Sequence, residues 1–275
     1  MKLSVCVQTD EVEKQVPVAL FSGSLAQRAA KAAAAGAHGL ELMTVAPKSL
    51  DAGQVRSALQ RSGLRAAAIG SGAIAFATGL TLLHPDAAAA AAARNLLDDL
   101  IDFAAAVDAP LVTIGSFRGR LAAKGDGAAD LLAEILARAG DRAAAQGIRI
   151  AVEAANRYEL DFINTAAEGV AFIGALGHEA VGLLLDTFHM NIEESSWESA
   201  IGRAGAAGVL WHVHIGDNNR QPPGRGMIDF RRVVAALAAA GYRGYLSAEL
   251  LARPDGDAAG RESLAYLHPL LEGLP

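Results

Sequence analysis

The feature that most constrains the fold is a repeated unit in which an alanine- and leucine-rich stretch ends at a breaker and leads into a short apolar run. Seven such units occur: AAKAAAAGAHGLELM, ALQRSGLRAAAIG, DFAAAVDAPLVTIG, RAAAQGIRIAVE, IGALGHEAVGLLLD, GRAGAAGVLWHVHIG and AALAAAGYRGYLSAE. Alanine and leucine favour helix, and glycine can end a helix in a left-handed conformation. Each unit therefore predicts a helix followed by a strand, with glycine caps at Gly36, Gly63, Gly147, Gly177, Gly205 and Gly241.

The opening run LSVCV adds an eighth strand. The predicted strands cover 3–7, 39–43, 66–70, 110–114, 148–153, 181–186, 209–215 and 244–249. Apolar strands that alternate with helices indicate a parallel sheet covered by helices, and eight units favour closure into a barrel. We predict an α/β fold, a (β/α)8 TIM barrel forming a single domain over 1–275, because no Pro- or Ser-rich linker divides the chain. An open doubly wound sheet is the alternative, but no G-x-G-x-x-G follows the first strand.

Charge and composition narrow the class of partner. The net charge of -6 disfavours binding to nucleic acid or to an anionic membrane and leaves a small molecule as the expected partner. A single cysteine, Cys6, excludes an intrachain disulfide, and the first residues lack the features of a signal peptide. The alanine stretch at 87–93 is too short to span a membrane and is predicted to be helical. We expect a cytoplasmic protein.

The residues that end the apolar runs are concentrated in the second half of the chain. Glu153 ends the fifth strand, Asp186 ends the sixth, His212 and His214 lie in the seventh, and Glu249 ends the eighth. In a parallel barrel, catalytic groups gather at the carboxyl ends of the strands. Four consecutive strands are therefore expected to direct metal-binding side chains to one rim.

A divalent cation would explain three carboxylates directed at one point, because they would otherwise repel one another. Mixed oxygen and imidazole donors without a thiolate favour Mn²⁺, with Mg²⁺ or Co²⁺ as alternatives and Zn²⁺ as a further candidate. A single acid at a strand end is commonly a helix cap, but four donors on successive strands are hard to explain in that way. His212 and His214 share one face of their strand, so spacing leaves open which of them binds the metal and which supports it or contacts substrate.

Three segments and the end of the eighth strand resemble a known family. They are VEAANRYEL (152–160), LLLDTFHMNIEE (183–194), HVHIGDNNRQPPGRGMIDF (212–230) and YLSAEL, which contains Glu249. Over about 148–250 the chain resembles the D-tagatose 3-epimerase group of the xylose isomerase-like barrels. The first half resembles it mainly in the repeat, including AHGLELM at the second strand.

This resemblance implies a metal-dependent sugar isomerase or epimerase, in the first place a ketose 3-epimerase. It implies that one divalent metal is bound by Glu153, Asp186, His214 and Glu249, and that Glu159, His189 and Arg220 contact substrate. The resemblance makes His212 the histidine that supports the metal ligand His214. We group His212 with the residues expected to bind substrate. Glu153 and Glu249 are the expected acid and base, acting through an enediolate intermediate. The family also implies a homo-oligomer, a dimer or a tetramer.

Several other functions would use a similar barrel. A hydroxypyruvate-type aldose-ketose isomerase or an inosose dehydratase would need much the same metal centre. A DNA-repair enzyme resembling endonuclease IV would need extra histidines from early strands, whereas the third and fourth strands end in Ile69-Gly70 and Ile114-Gly115. A non-catalytic sugar-binding barrel is the remaining alternative.

A basic segment after the fourth strand, IGSFRGRLAAK, has two interpretations. Arg118 and Arg120, with Lys124, can form a clamp for a phosphate or carboxylate, which would make the substrate a sugar phosphate. A solvated basic loop is the alternative that we favour.

Overall fold

Eight parallel strands form a closed barrel in the computed structural model, which describes residues 1–272. The strands are β1 (Lys2–Gln8), β2 (Gly39–Met43), β3 (Arg65–Gly70), β4 (Leu111–Ile114), β5 (Arg149–Ala154), β6 (Val181–Asp186), β7 (Leu210–Ile215) and β8 (Tyr245–Ala248). Strands that are consecutive in the chain are neighbours in the barrel, and β8 pairs with β1 to close it. The closed barrel is confirmed and the open doubly wound sheet is excluded.

Helices connect the successive strands of the barrel. Within the described residues they are α1 (Leu25–Ala34), α2 (Ala52–Arg61), α3 (Gly72–Thr78), α4 (Ala87–Ala106), α5 (Ala128–Ala145), α6 (Ala166–Leu176), α7 (Thr187–Glu193), α8 (Trp197–Ala206), α9 (Phe230–Ala239) and α10 (Gly256–Glu272). The alanine stretch at 87–93 is helical, as predicted, because it begins α4. Over residues 1–272, no helix has both the length and the apolar character needed to cross a bilayer.

The predicted strand boundaries are confirmed, since each lies within one residue of the observed one. Most of the predicted glycine caps also adopt positive φ, but the prediction for Gly205 is wrong. Gly205 lies inside α8, where a Cβ would come within 2.7 Å of the Cβ of Ala240. Its role there is close packing against the chain after α9. The left-handed glycine that follows α8 is Gly208, with a φ of 71°.

The interior of the barrel leads directly to the rim that is formed by the carboxyl ends of the strands. A small apolar cluster packs together from four neighbouring strands, β3 to β6: Ala68, Leu111, Ala151 and Leu184. Side chains two residues apart on a strand share a face. Glu153 therefore follows Ala151 on the inner face of β5, and Asp186 follows Leu184 on β6. Because Asp186 and His214 are paired in the register of β6 and β7, the inner faces deliver polar groups to the same level.

Candidate metal centre

Four side chains meet at the rim where β5 to β8 end. Glu153, Asp186, His214 and Glu249 each offer one donor atom, and these atoms all lie within 4.8 Å of one another. Glu153, His214 and Glu249 line a cavity of about 230 Å³ that opens at this rim. The structure therefore brings together all four residues that the sequence singled out as metal ligands.

Two buried atoms in this group indicate that the donors fit a cation. Among the described residues, Glu153 Oε1 and His214 Nδ1 are buried without a hydrogen-bond partner, and they face each other at 3.3 Å. A buried polar atom without a partner is costly. Three carboxylates and one imidazole, with no thiolate, are donors that suit a divalent cation such as Mn²⁺. A cation bound at this point would satisfy both atoms and offset the clustered negative charge.

The pKa values of the site residues reflect burial and crowded charge. Burial disfavours the charged form of His214, but the carboxylates of Glu41 and Glu249 outweigh it and raise the pKa of the imidazole well above its usual value. Burial also raises the pKa of Asp186, and repulsion from Glu249 adds to that effect. For Glu249 itself, burial is outweighed by the charges of His214 and Arg220, which lower its pKa to about 2. A strongly held proton at His214 is one that a cation would displace.

Asp186 combines a helix cap with a place in the metal centre. Its Oδ1 accepts a hydrogen bond of 2.7 Å from the backbone N–H of Phe188, which caps α7. Its Oδ2 faces the centre and lies 3.3 Å from Arg220 Nη2. Asp186 therefore caps a helix, as acids at strand ends commonly do. The cap uses only Oδ1, so Oδ2 remains available as a metal ligand.

Arg220 brings a positive charge to the same cluster. Its Nη2 donates hydrogen bonds to Glu249 Oε2 at 3.1 Å and to Asp186 Oδ2 at 3.3 Å. The guanidinium also stacks over the ring of Phe188, 4.6 Å from its centroid. Arg220 has a φ of 56°, an uncommon value for a residue other than glycine. Strained backbone of this kind is often found at functional sites, and here it places the side chain at the cavity wall.

Asp217 shapes the loop that carries Arg220, and the sequence analysis missed it. This buried carboxylate accepts hydrogen bonds from the backbone N–H groups of Asn218, Gly224, Gly226 and Ile228. The backbone of Arg220 also donates to the carbonyl of Asp217 at 2.8 Å. An acid two residues after β7 was the available signal, but its partners lie in a loop whose path the sequence does not predict.

His189 and Glu159, two predicted substrate contacts, both line the cavity. Nδ1 of His189 accepts a hydrogen bond from the backbone N–H of Asn156 at 3.3 Å, which assigns the proton of a neutral ring to Nε2, an atom that also lies 3.3 Å from Arg220 Nη2. That Nε2 lies 3.7 Å from Glu153 Oε1. Burial lowers the pKa of His189, which favours a neutral ring that donates from Nε2. The Asn156 side chain also holds Glu159, through a bond of 3.3 Å to its carboxylate.

Glu41 is the most important site residue that the sequence analysis passed over. It lies in the middle of β2, is fully buried, and receives hydrogen bonds from both His212 and His214. His212 therefore lies behind His214 and is not among the described residues that line the cavity. An acid inside an otherwise apolar strand was a usable signal, but nothing local identifies its partners.

Glycines at the ends of β3 and β4 leave space beside the centre. A Cβ on Gly115 would collide with Glu153 Oε2, and one on Gly70 would lie 3.3 Å from Glu41 Oε1. Both glycines line the cavity. The positions where an endonuclease IV-like barrel would carry extra ligands are thus occupied by residues without side chains.

The structure does not place Arg118 as an anion clamp or in a solvated loop. Arg118 is buried and donates to the carbonyl oxygens of Gly115, Phe162 and Ile163. Burial lowers the pKa of its guanidinium to about 10. The favoured prediction of a solvated loop is wrong for this residue, since Arg118 ties the loop after β4 to the loop after β5. Arg120 is exposed and has one long contact, 3.4 Å, with the carbonyl of Tyr158.

Arg118→Ala is expected to lower the free energy of unfolding by about 3 kcal/mol, because carbonyl groups lose charged hydrogen-bond donors. Arg120→Ala is the matched control and is expected to change it by less than about 0.5 kcal/mol. Urea unfolding of both variants gives the two values. Inhibition by inorganic phosphate that disappears in a folded Arg118→Ala protein would instead restore the clamp interpretation.

Comparison with known proteins identifies the family. The profile of the xylose isomerase-like TIM barrel family matches residues 29–270. The chain belongs to that family. Among individual members, L-ribulose 3-epimerase from Methylomonas sp. (strain DH-1) is 34% identical over 226 residues, which cover 80% of this chain and 76% of that protein. The resemblance that four sequence segments indicated is therefore confirmed.

Other xylose isomerase-like relatives support the same placement. D-psicose 3-epimerase from Agrobacterium fabrum (strain C58 / ATCC 33970) is 43% identical over 110 residues, or 40% of this chain. This match spans only 37% of that relative's length. The crystal structure of D-allulose 3-epimerase from Methylomonas sp. in complex with D-allulose has a TM-score of 0.79 and 26% identity, over 98% of this chain and 97% of that one. This barrel thus shares its overall path with a structure that contains a ketose.

Proposed function

We propose that this barrel is a divalent-metal-dependent ketose 3-epimerase. The observation that carries the proposal is the convergence of Glu153, Asp186, His214 and Glu249 within 4.8 Å, with two of their donor atoms buried and unpartnered among the described residues. The family relatives named for 3-epimerisation support the choice of reaction. Mn²⁺ is the proposed metal, because the donors are oxygen and imidazole without a thiolate.

The proposed reaction moves one proton away from C3 of a ketose and returns one to the opposite face. Glu153 Oε1 and Glu249 Oε2 lie 3.3 Å and 3.6 Å from the same atom, Nδ1 of His214. We assign one carboxylate as the base and the other as the acid, so that an enediolate forms between the two steps. When bound, the metal stabilises the negative charge that develops on the sugar oxygens.

Two further residues would orient the sugar. His189 presents Nε2–H to the cavity, because its Nδ1 is occupied by the backbone N–H of Asn156. It would donate to a sugar oxygen as a neutral group, as the lowered pKa of His189 favours. Arg220 would donate from its guanidinium, which already lies at the cavity wall beside Glu249. Both donors would stabilise negative charge that develops on a sugar oxygen.

The cavity favours a sugar without a phosphate group. Arg220 is the one Lys or Arg side chain that lines it in the described part of the chain, and its charge faces Asp186 and Glu249. The apolar part of the lining consists of Val16, Pro17, Val18, Met43, Phe76 and Leu251. A dianionic phosphate would meet carboxylates or apolar groups there, which disfavours its burial. We therefore propose a free ketose as substrate.

A panel of free ketoses and their terminal phosphate esters tests both parts of this proposal. We expect epimerisation at C3 of at least one free ketose, with deuterium from D2O appearing at that carbon. For the corresponding phosphate ester we expect kcat/KM to fall at least about 10-fold, which corresponds to about 1.4 kcal/mol. Product analysis by NMR measures both quantities.

The same panel distinguishes the alternatives. Formation of an aldose would assign the chain to the aldose-ketose isomerases, and a dehydrated product would assign it to the dehydratases. Turnover of a phosphorylated ketose in preference to the free sugar would contradict the choice of an unphosphorylated substrate.

A further inference from the structure

A buried carboxylate connects both histidines of β7 to the opposite side of the barrel. Glu41 Oε2 lies 2.8 Å from His212 Nε2 and 3.1 Å from His214 Nε2. Its Oε1 lies 3.2 Å from His214 Nε2 and receives the hydroxyl of Thr113 at 2.9 Å. Neither oxygen is needed to bind the metal, because the four ligands come from β5 to β8. The function proposed above therefore leaves this buried acid without a role.

The chemistry of this contact determines which nitrogen of each histidine carries a proton. An ionised carboxylate only accepts hydrogen bonds, so Nε2 of both rings must be the donor. In a neutral imidazole the other nitrogen then has a free lone pair. For His214 that nitrogen is Nδ1, which lies 3.3 Å from Glu153 Oε1 and 3.6 Å from Glu249 Oε2.

The position of His214 also depends on this contact. Its Nε2 is shared between the two oxygens of Glu41 at nearly equal distances, 3.2 and 3.1 Å, which fixes the direction of the ring. The ring of His212 stands nearly perpendicular to it, at 84°, and occupies the remaining side of the carboxylate. Thr113 holds Oε1 from β4. The carboxylate is thus fixed from two sides before it meets His214.

We propose that Glu41 is a positioning residue that holds His214 with its proton on Nε2 and its Nδ1 lone pair directed at the metal. Hydrogen bonding from a ligand histidine to a carboxylate fixes the tautomer and increases the basicity of the ligand nitrogen. The inference rests on the proposed metal site but is independent of the substrate. Its tests measure metal binding and protonation, so a missing epimerase activity would not bear on it.

The first test uses the unaltered protein loaded with Mg²⁺, which is diamagnetic. Nitrogen-15 NMR of ring-labelled histidine is expected to show His214 protonated at Nε2 alone, with the signal assigned from its loss in His214→Gln. A His214 ring that is protonated at Nδ1, or that uses Nε2 as its ligand atom, would overturn the proposal. This measurement does not depend on whether any Glu41 variant folds.

The second test compares metal affinities by calorimetric titration with Mn²⁺. Glu41→Gln is expected to raise the Kd about 10- to 100-fold, because the carboxamide is uncharged and has only one acceptor oxygen, which weakens its hold on His214 Nε2. Glu41→Asp retains the carboxylate and is expected to recover part of that loss. Glu194→Gln is the matched control, since its carboxylate accepts a backbone N–H of Ala166 away from the centre. An unchanged Kd in a folded Glu41→Gln protein would overturn the proposal.

The titration also tests a competing role for the same residue. Donor atoms of Cys6, Glu41 and His214 lie within 4.8 Å of one another and form a second group that is able to hold a cation. A cation there would need the Nε2 lone pair of His214, which is incompatible with the hydrogen bonds described. We expect one Mn²⁺ per chain. Two equivalents, with the second lost in Cys6→Ala, would overturn the positioning role.

Discussion

Glu249→Gln is expected to lower kcat for ketose epimerisation by at least about 10³-fold. The carboxamide has nearly the same size and shape but cannot take up the proton from C3, and it is a weaker metal ligand than a carboxylate. Glu153→Gln is expected to have an effect of the same order, because the return of a proton needs the second carboxylate. Initial rates with saturating Mn²⁺ and a free ketose give the comparison.

Both variants are expected to fold. Each removes a negative charge from a cluster in which three carboxylates face one another, so repulsion within the metal-free protein falls. Circular dichroism and thermal unfolding check this point. Glu134→Gln, an exposed position on α5, is the matched control and is expected to retain full activity. Wild-type turnover in either site variant would contradict the assignment of the acid and base.

Removal of the metal is expected to abolish turnover, and added Mn²⁺ is expected to restore it. Without a cation, no group in the site combines the charge and the coordination capacity needed to stabilise an enediolate. The loaded protein is also expected to be more stable, by about 2.7 kcal/mol when the metal concentration is 100 times its Kd. For a chain of this size, that corresponds to a melting temperature higher by about 5 to 10 °C.

Elemental analysis of the purified protein identifies the class of site. One metal equivalent per chain is expected for the epimerase. Three zinc equivalents would favour a nuclease, and sugar binding without any metal would favour a non-catalytic barrel. Reconstitution with Mn²⁺, Mg²⁺, Co²⁺ and Zn²⁺ in turn then ranks the metals by kcat. A higher kcat with another ion than with Mn²⁺ would contradict the proposed metal.

The fold and the metal ligands could be predicted from the sequence, because both depend on local patterns. Each helix ends at a breaker and each strand is a short apolar run, so strand boundaries were predicted within one residue. The carboxyl ends of parallel strands lie on one rim, so Glu153, Asp186 and Glu249 were expected to converge. A local rule was insufficient at Gly205, which lies inside α8 and packs closely against Ala240 after the next helix.

The sequence did not predict the roles of residues whose partners are distant in the chain. Glu41 meets its histidine partners across 171 and 173 residues of chain, so its sequence neighbours carry no sign of them. The segment around Arg118 has the composition of a solvated loop. Arg118 is nevertheless buried, and it donates to a carbonyl group that lies 45 residues away in the chain. In both cases the burial of charge is stabilised by hydrogen bonds that only the closed barrel brings into range.

The amino-acid sequence by itself determined the order of helices and strands, the rim on which the chemistry lies and the types of donor present there, since propensity and alternation act over a few residues. Only the tertiary structure decided how each donor is used. It directs His214 Nδ1 at Glu153 and Glu249, places His212 behind it, and turns Arg220 towards Asp186 and Glu249. These choices depend on side-chain contacts between strands that are neighbours in the closed barrel or face each other across it.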